Sequence, residues 1–168
     1  MDMLPVDQPA DPTNAERIAL GTDELVVLAD CAHTNGDIFA VLLRMPPGGG
    51  PPVMHRHAPS EVYHVLEGEL VFYVGRADGA VDRVPVRAGQ TMPLAGGTPH
   101  TIRNEGEREA VAFGVHSPGA AMEGFSRAAA ALAAEGSAGS AGSAGMEAVL
   151  TIAEQHGIEL LGPVPEPA

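Results

Sequence analysis

The sequence contains no lysine and no tryptophan, and a single cysteine in 168 residues. Each scarcity closes off a class of function. With basic side chains numbering 9 against 22 carboxylates, the net charge is −13, so a phosphate-rich partner is repelled and nucleic-acid binding is not expected. Nor is there a helix-turn-helix candidate or a basic surface stretch, which lowers a transcriptional role. Cys31 cannot close an internal disulfide, in keeping with a reducing compartment, and thiolate-rich metal chemistry is absent with it. No apolar run is long enough to cross a bilayer, and the stretch from Met1 to Glu16 is acidic and proline-rich without a basic start, so no signal peptide is read there. A soluble cytoplasmic protein is the expectation.

What the chain does have is histidine at telling positions. In Gly49-Gly-Pro-Pro-Val-Met-His55-Arg-His57-Ala-Pro-Ser-Glu61 the two histidines are two apart, so on a strand both imidazoles project to one side. Glu61 has the same parity and joins them after a bend at Pro59. His100 lies in a second punctuated segment, Gly89 to Asn104, that reads as a turn entering a strand. Three imidazoles and a carboxylate suit a divalent first-row ion, and iron, nickel, manganese, zinc or cobalt all accept such a set. A lone His-x-His is as often a pair of ordinary histidines, but Glu61 and His100 in register weigh against that. His33, beside Asn35-Gly36, reads as a turn residue and His156 as a helical one. His64, of opposite parity to Glu61, is expected to face away.

With 45% hydrophobic residues the chain can bury one proper core. Strand signals dominate its first two thirds. Leu25–Asp30 and Asp37–Met45 flank Asn35-Gly36, a dipeptide suited to a tight reversal. Glu61–Leu66 and Glu69–Val74 are joined through Glu67-Gly68. Asp78-Gly79 begins a second reversal into Ala80–Arg87, and Pro99–Asn104 and Ala110–His116 follow. Eight or nine short strands between turn signals make an all-β barrel or sandwich.

The two histidine segments resemble the paired motifs of the cupins. Gly49, His55, His57, Glu61 and Gly68 fill the first motif; Gly89, Gly97, His100 and Asn104 fit the second, where Ala95 replaces the usual proline. The resemblance implies a cupin-type jelly-roll barrel, a double-stranded β-helix, with one divalent transition-metal ion inside it held by His55, His57, Glu61 and His100. It also implies a homodimer paired through sheets. The segments Ser117-Pro-Gly, Glu123-Gly-Phe125 and Ile158-Glu-Leu-Leu161-Gly-Pro look similar to bacterial quercetinase-like proteins, flavonol dioxygenases whose motif glutamate is both ligand and base. That likeness implies a metal-dependent dioxygenase for a small enolic or phenolic molecule, with dioxygen as co-substrate and Glu61 catalytic. Cupins also include non-oxidative cyclases, isomerases and ligand-binding modules, and the fold does not fix the reaction.

Strand parity puts Tyr63 and Val65 on the face of Glu61, and Ile102 on that of His100, which makes an apolar pocket with one phenol near the metal. From the last strand either Phe113 or His116 can contribute, but a regular strand excludes having both; Phe113 is counted with the pocket. The expected organisation is a flexible arm at 1–15, the barrel at 16–118, an accessory helix at 119–135, a Gly/Ser/Ala linker at 136–145 and a C-terminal helix and tail at 146–168. Met122, Phe125, Ala129 and Leu132 form the apolar stripe of the first helix; Val149, Ile152, Ala153 and His156 form that of the second, capped by Gly157.

Overall fold

The alternation of apolar and polar residues resolves into two facing antiparallel sheets. The computed structural model describes residues 8–136 and 143–164; residues 1–7 of the expected arm, 137–142 of the expected linker and 165–168 of the tail lie outside them. The first sheet holds β1 (Arg17–Leu20), β2 (Asp23–Ala29), β3 (Phe39–Met45), β5 (Ser60–Glu67), β8 (Thr91–Leu94) and β10 (Ala110–Ser117), in the order β1-β2-β3-β10-β5-β8. The second holds β4 (Val53–Arg56), β6 (Glu69–Gly75), β7 (Val81–Arg87), β9 (His100–Arg103) and β11 (Glu159–Pro163), in the order β11-β4-β9-β6-β7. Consecutive strands β5 and β6 belong to different sheets, so Gly68 marks a crossing between layers.

Between the layers lies the main core. Phe39, Val41, Met45, Val65, Leu70 and Phe72 are almost wholly buried there. β6 is apolar on both faces because its outward residues Val71 and Tyr73 pack with Met54 in a second, smaller cluster. β2 and β3 pair as expected, yet they are joined by nine residues rather than a tight turn; Asn35 and Gly36 do take positive φ, 55° and 85°. Among the described residues no helix is long and apolar enough to cross a membrane.

Two helices follow the barrel. α1 (Ala120–Ala134) is fastened at its start: Glu123 accepts from the Cys31 backbone N–H, and Arg127 pairs with both Glu123 and Glu16. α2 (Ser143–Gln155) begins inside the stretch expected to be linker. It ends on Gly157, whose N–H bonds back to Glu154 while that of Ile158 reaches Ala153 at 2.8 Å, a Schellman-type cap over the buried Ile158. β11, unanticipated from sequence, then pairs along β4.

The chain ahead of β4 is threaded tightly against β9. Gly50 has φ 112°, and a Cβ on it would lie 2.1 Å from the Ile102 carbonyl oxygen. Gly50→Ala is therefore expected to cost more than the ~1–2 kcal/mol of a left-handed residue alone, about 2–4 kcal/mol once the backbone shifts. Urea unfolding checks it: a midpoint equal to wild type would show that this segment does not pack on β9.

Candidate metal centre

His55 and His100 sit directly opposite one another where β4 meets β9. The segments that carry them are tied further along, since Gly48 N–H donates to the Asn104 carbonyl and Asn104 N–H to that of Gly49. Asn104 itself, 1% exposed, spends its side-chain amide on the Met45 and Arg108 carbonyls and accepts from Gly106 N–H. It is a brace. The turn at Ala95, lacking the usual proline, is held instead by Gly97 N–H to the His57 carbonyl at 2.7 Å and Gly96 N–H to the Ser60 hydroxyl at 3.0 Å.

These supports bring three imidazoles together, with ligand atoms of His55, His57 and His100 all within 4.8 Å of one another. His57 lies just past the end of β4, but the chain stays extended enough for its ring to reach the same side. Each ring is aimed by its far nitrogen. Nδ1–H of His57 donates to the Pro59 carbonyl at 3.0 Å, that of His100 to Thr98 at 2.8 Å, and that of His55 more weakly to Val53 at 3.3 Å. The tautomers follow from those bonds: all three Nε2 atoms turn a lone pair inward.

Glu61 meets them there. Its Oε1 is 2.9 Å from His57 Nε2 and its Oε2 3.1 Å from His100 Nε2, all with side chains no more than 3% exposed. Close as they are, His57 Nε2, His100 Nε2 and Glu61 Oε2 have no aligned hydrogen-bond partner. Lone pairs facing lone pairs in a buried site are stable only around a positive charge. Burial by itself would raise the Glu61 carboxyl; it is held well below the usual carboxylate range when His100, His116 and His57 set protons against it, the positive charge that this arrangement calls for. Burial works against charge on His100 too, but the carboxylate of Glu61 outweighs it and raises that imidazole. His55 goes the other way, pushed down to about 4 by burial and by His100. The residues present thus fit a divalent ion: three neutral nitrogens and one anionic oxygen, pre-aimed, with their outer nitrogens bonded to the backbone.

Of the pocket residues read from sequence, Tyr63 and Ile102 line a cavity of about 470 Å³ above the cluster. Val65 does not line it; it is on the expected face but is wholly buried in the core. Phe113 is a correction. It stands outside, 37% exposed, opposite His64 on the outer face of the first sheet with Val62 and Leu66. The inward parity of β10 belongs to Ala112, Gly114 and His116, because the barrel needs small residues there: a Cβ on Gly114 would be 2.8 Å from the Tyr63 ring. His116 is therefore the residue that reaches the site, accepting from the Tyr63 hydroxyl at 3.0 Å and lying 3.3 Å from Glu61 Oε1. Tyr63 stays a neutral phenol, raised well above its ordinary value by burial and then by Glu61. His33 lies in the β2–β3 connection against Asp30, and His64 faces outward to Thr91, as parity requires.

Comparison with known proteins agrees with this geometry. Residues 41–116 match the family model described as "Cupin domain". The barrel has the cupin fold. Over 80 residues, 48% of this chain and 61% of the relative, it is 29% identical to the oxalate-binding protein of Thermotoga maritima, so it spans about three fifths of that protein's length. The cupin fold is shared with a predicted oxalate decarboxylase of Thermotoga maritima, at TM-score 0.54 and 23% identity over 64% of this chain and 96% of that one. It is shared equally with a sugar phosphate isomerase of the cupin superfamily from Silicibacter pomeroyi, at TM-score 0.54 and 21% identity over 64% and 73% of the two chains. At these identities the two structures attest the fold alone.

Losing one donor opens the set. His57→Ala and His100→Ala are expected to weaken metal binding well beyond the ~10 to 100-fold of a supporting residue, and full stoichiometric metal in either after chelator dialysis would refute the donor set. Protons compete for the same lone pairs, so occupancy at equilibrium should fall with pH from about 7 to about 4. Metal content measured across that range, if constant, excludes imidazole ligation.

Proposed function

We propose that the protein is a metal-dependent cupin dioxygenase acting on a small enolic or phenolic molecule. The observation that carries this reading is where the polar groups lie. Among the described residues the cavity is lined by Leu25, Val41, Leu43 and Ile102 above a floor of His55, Glu61, Tyr63, His100 and His116, with Asp23 and Ser126 the polar side chains elsewhere on its wall and no arginine. Such a pocket suits a mostly apolar ligand that presents oxygen at one end. Oxalate or a sugar phosphate, the ligands in the relatives' names, would bring two or more negative charges to a wall with no basic side chain beyond the floor.

Bound by His55, His57, His100 and Glu61, a divalent ion supplies charge to polarise a substrate oxygen and, when redox-active, access to dioxygen. The chain's own groups do the rest. Glu61, held ionised, accepts the enol or phenol proton on its carboxylate. Tyr63, fixed by its bond to His116, confronts the substrate from the β5 side and orients it. The hydrocarbon walls keep water from the reacting end and strengthen each polar contact there.

Glu61→Gln keeps an oxygen at the site and removes the proton acceptor, so turnover of an enolic substrate such as a flavonol should fall by ~100 to 10,000-fold. Tyr63→Phe should be milder. Oxygen uptake by metal-loaded wild type should match substrate loss, and substrate loss should cease anaerobically. Undiminished turnover in Glu61→Gln removes the base; an equal rate without oxygen replaces the dioxygenase with a non-oxidative cyclase or isomerase.

A further inference from the structure

The cavity is not closed by the barrel. The matched cupin domain ends at residue 116, whereas Met122 and Phe125 of α1, Met146, Val149 and Leu150 of α2, and Leu160 of β11 all line the cavity. Its roof thus comes from a part of the chain that the family match does not reach, and the ligands of the relatives carry no information about it.

This roof is anchored at one end and apolar at the other. His156, at the end of α2, packs on Gly124 so closely that a Cβ there would lie 2.6 Å from its ring, and Ala153 and Ile158 are buried. Toward the start of α2, Met146 and Leu150 border the same cavity yet remain 57% and 47% exposed. Large apolar side chains left at a cavity mouth have surface still to bury, and unbranched methionines adapt to irregular partners. The volume, about 470 Å³, far exceeds a packing void.

We propose that α1, α2 and β11 form a distal subsite for an uncharged hydrocarbon body, aryl or acyl, of the ligand whose oxygen-bearing head lies over the histidines. The assignment of the head rests on the reading of the metal centre above; the body subsite does not need the metal. A head alone would leave the roof uncovered. The ligand class is therefore bipartite: a compact oxygen donor joined to an apolar group large enough to reach α2.

Equilibrium dialysis of the full-length, metal-free protein against two neutral probes tests this directly. Flavone offers an aryl body without the enol hydroxyl, and methyl octanoate an acyl one. At least one should bind at a single site, and the tighter of the two names the kind of body. Leu150→Asp and Met146→Asp change exposed positions, so both should retain the wild-type circular dichroism while binding the preferred probe more than about tenfold more weakly. Failure of both probes to bind wild type overturns the subsite, as does wild-type affinity in both folded variants. Metal retention is measured separately: a protein that binds flavone but holds no metal keeps the subsite and loses the metal centre, and one that holds metal but binds neither probe does the reverse.

Discussion

Everything at the centre of this protein depends on three backbone carbonyls. Pro59, Thr98 and Val53 each take an Nδ1 proton from a histidine, and that choice of tautomer decides what faces inward. Had the rings been free to turn, Glu61 would sit among hydrogen-bond donors in an ordinary buried polar network. Instead it sits among acceptors. The result is a small region of negative potential at a buried site, where low polarisability makes an electrostatic preference far stronger than at a surface. A proton on His100 relieves it partly, which is why that imidazole is raised; a divalent cation relieves it more fully.

The fold and the centre are built by the same contacts. Antiparallel docking of the two motif segments sets His55 against His100 and also places Asn104 where it braces β9 to the end of β3. Disturbing that brace would displace a ligand strand without touching a ligand. Polar chemistry is concentrated at one end of the cavity, because most other lining positions are apolar, Asp23 and Ser126 being the polar side chains among them. This segregation matters for chemistry: a proton acceptor kept from water is available only to the molecule that enters.

Parity along single strands carried much of the reading from sequence. His55 with His57, Glu61 with Tyr63, and His64 on the reverse side all follow from period-two alternation and lie as it requires. Parity was silent about depth, so Val65 was read as lining a cavity that stops short of it. It failed at β10 for a tertiary reason: hydrophobicity alone favours Phe113 inside, but the space beside Tyr63 admits only the small residues of the opposite register, and His116 comes with them. That run of Ala112, Gly114 and His116 against Val111, Phe113 and Val115 was the available signal. β11 was not legible, since Leu160-Leu-Gly-Pro is short and ends in residues that weaken strands; its conformation is imposed by the open edge of β4. The early start of α2 was masked in a similar way by a Ser-Ala-Gly composition that reads as linker.

β11 has a consequence for the order of events in synthesis. β4, which carries His55, is only four residues long and touches β9 at a single register pair, whereas β11 runs along its other side from Glu159 to Pro163. The strand bearing His55 is thus secured by a segment more than a hundred residues later in the chain. On the ribosome, the barrel emerges with that ligand strand at an unpaired edge, and the centre gains its last support only when residues 159–163 have been made.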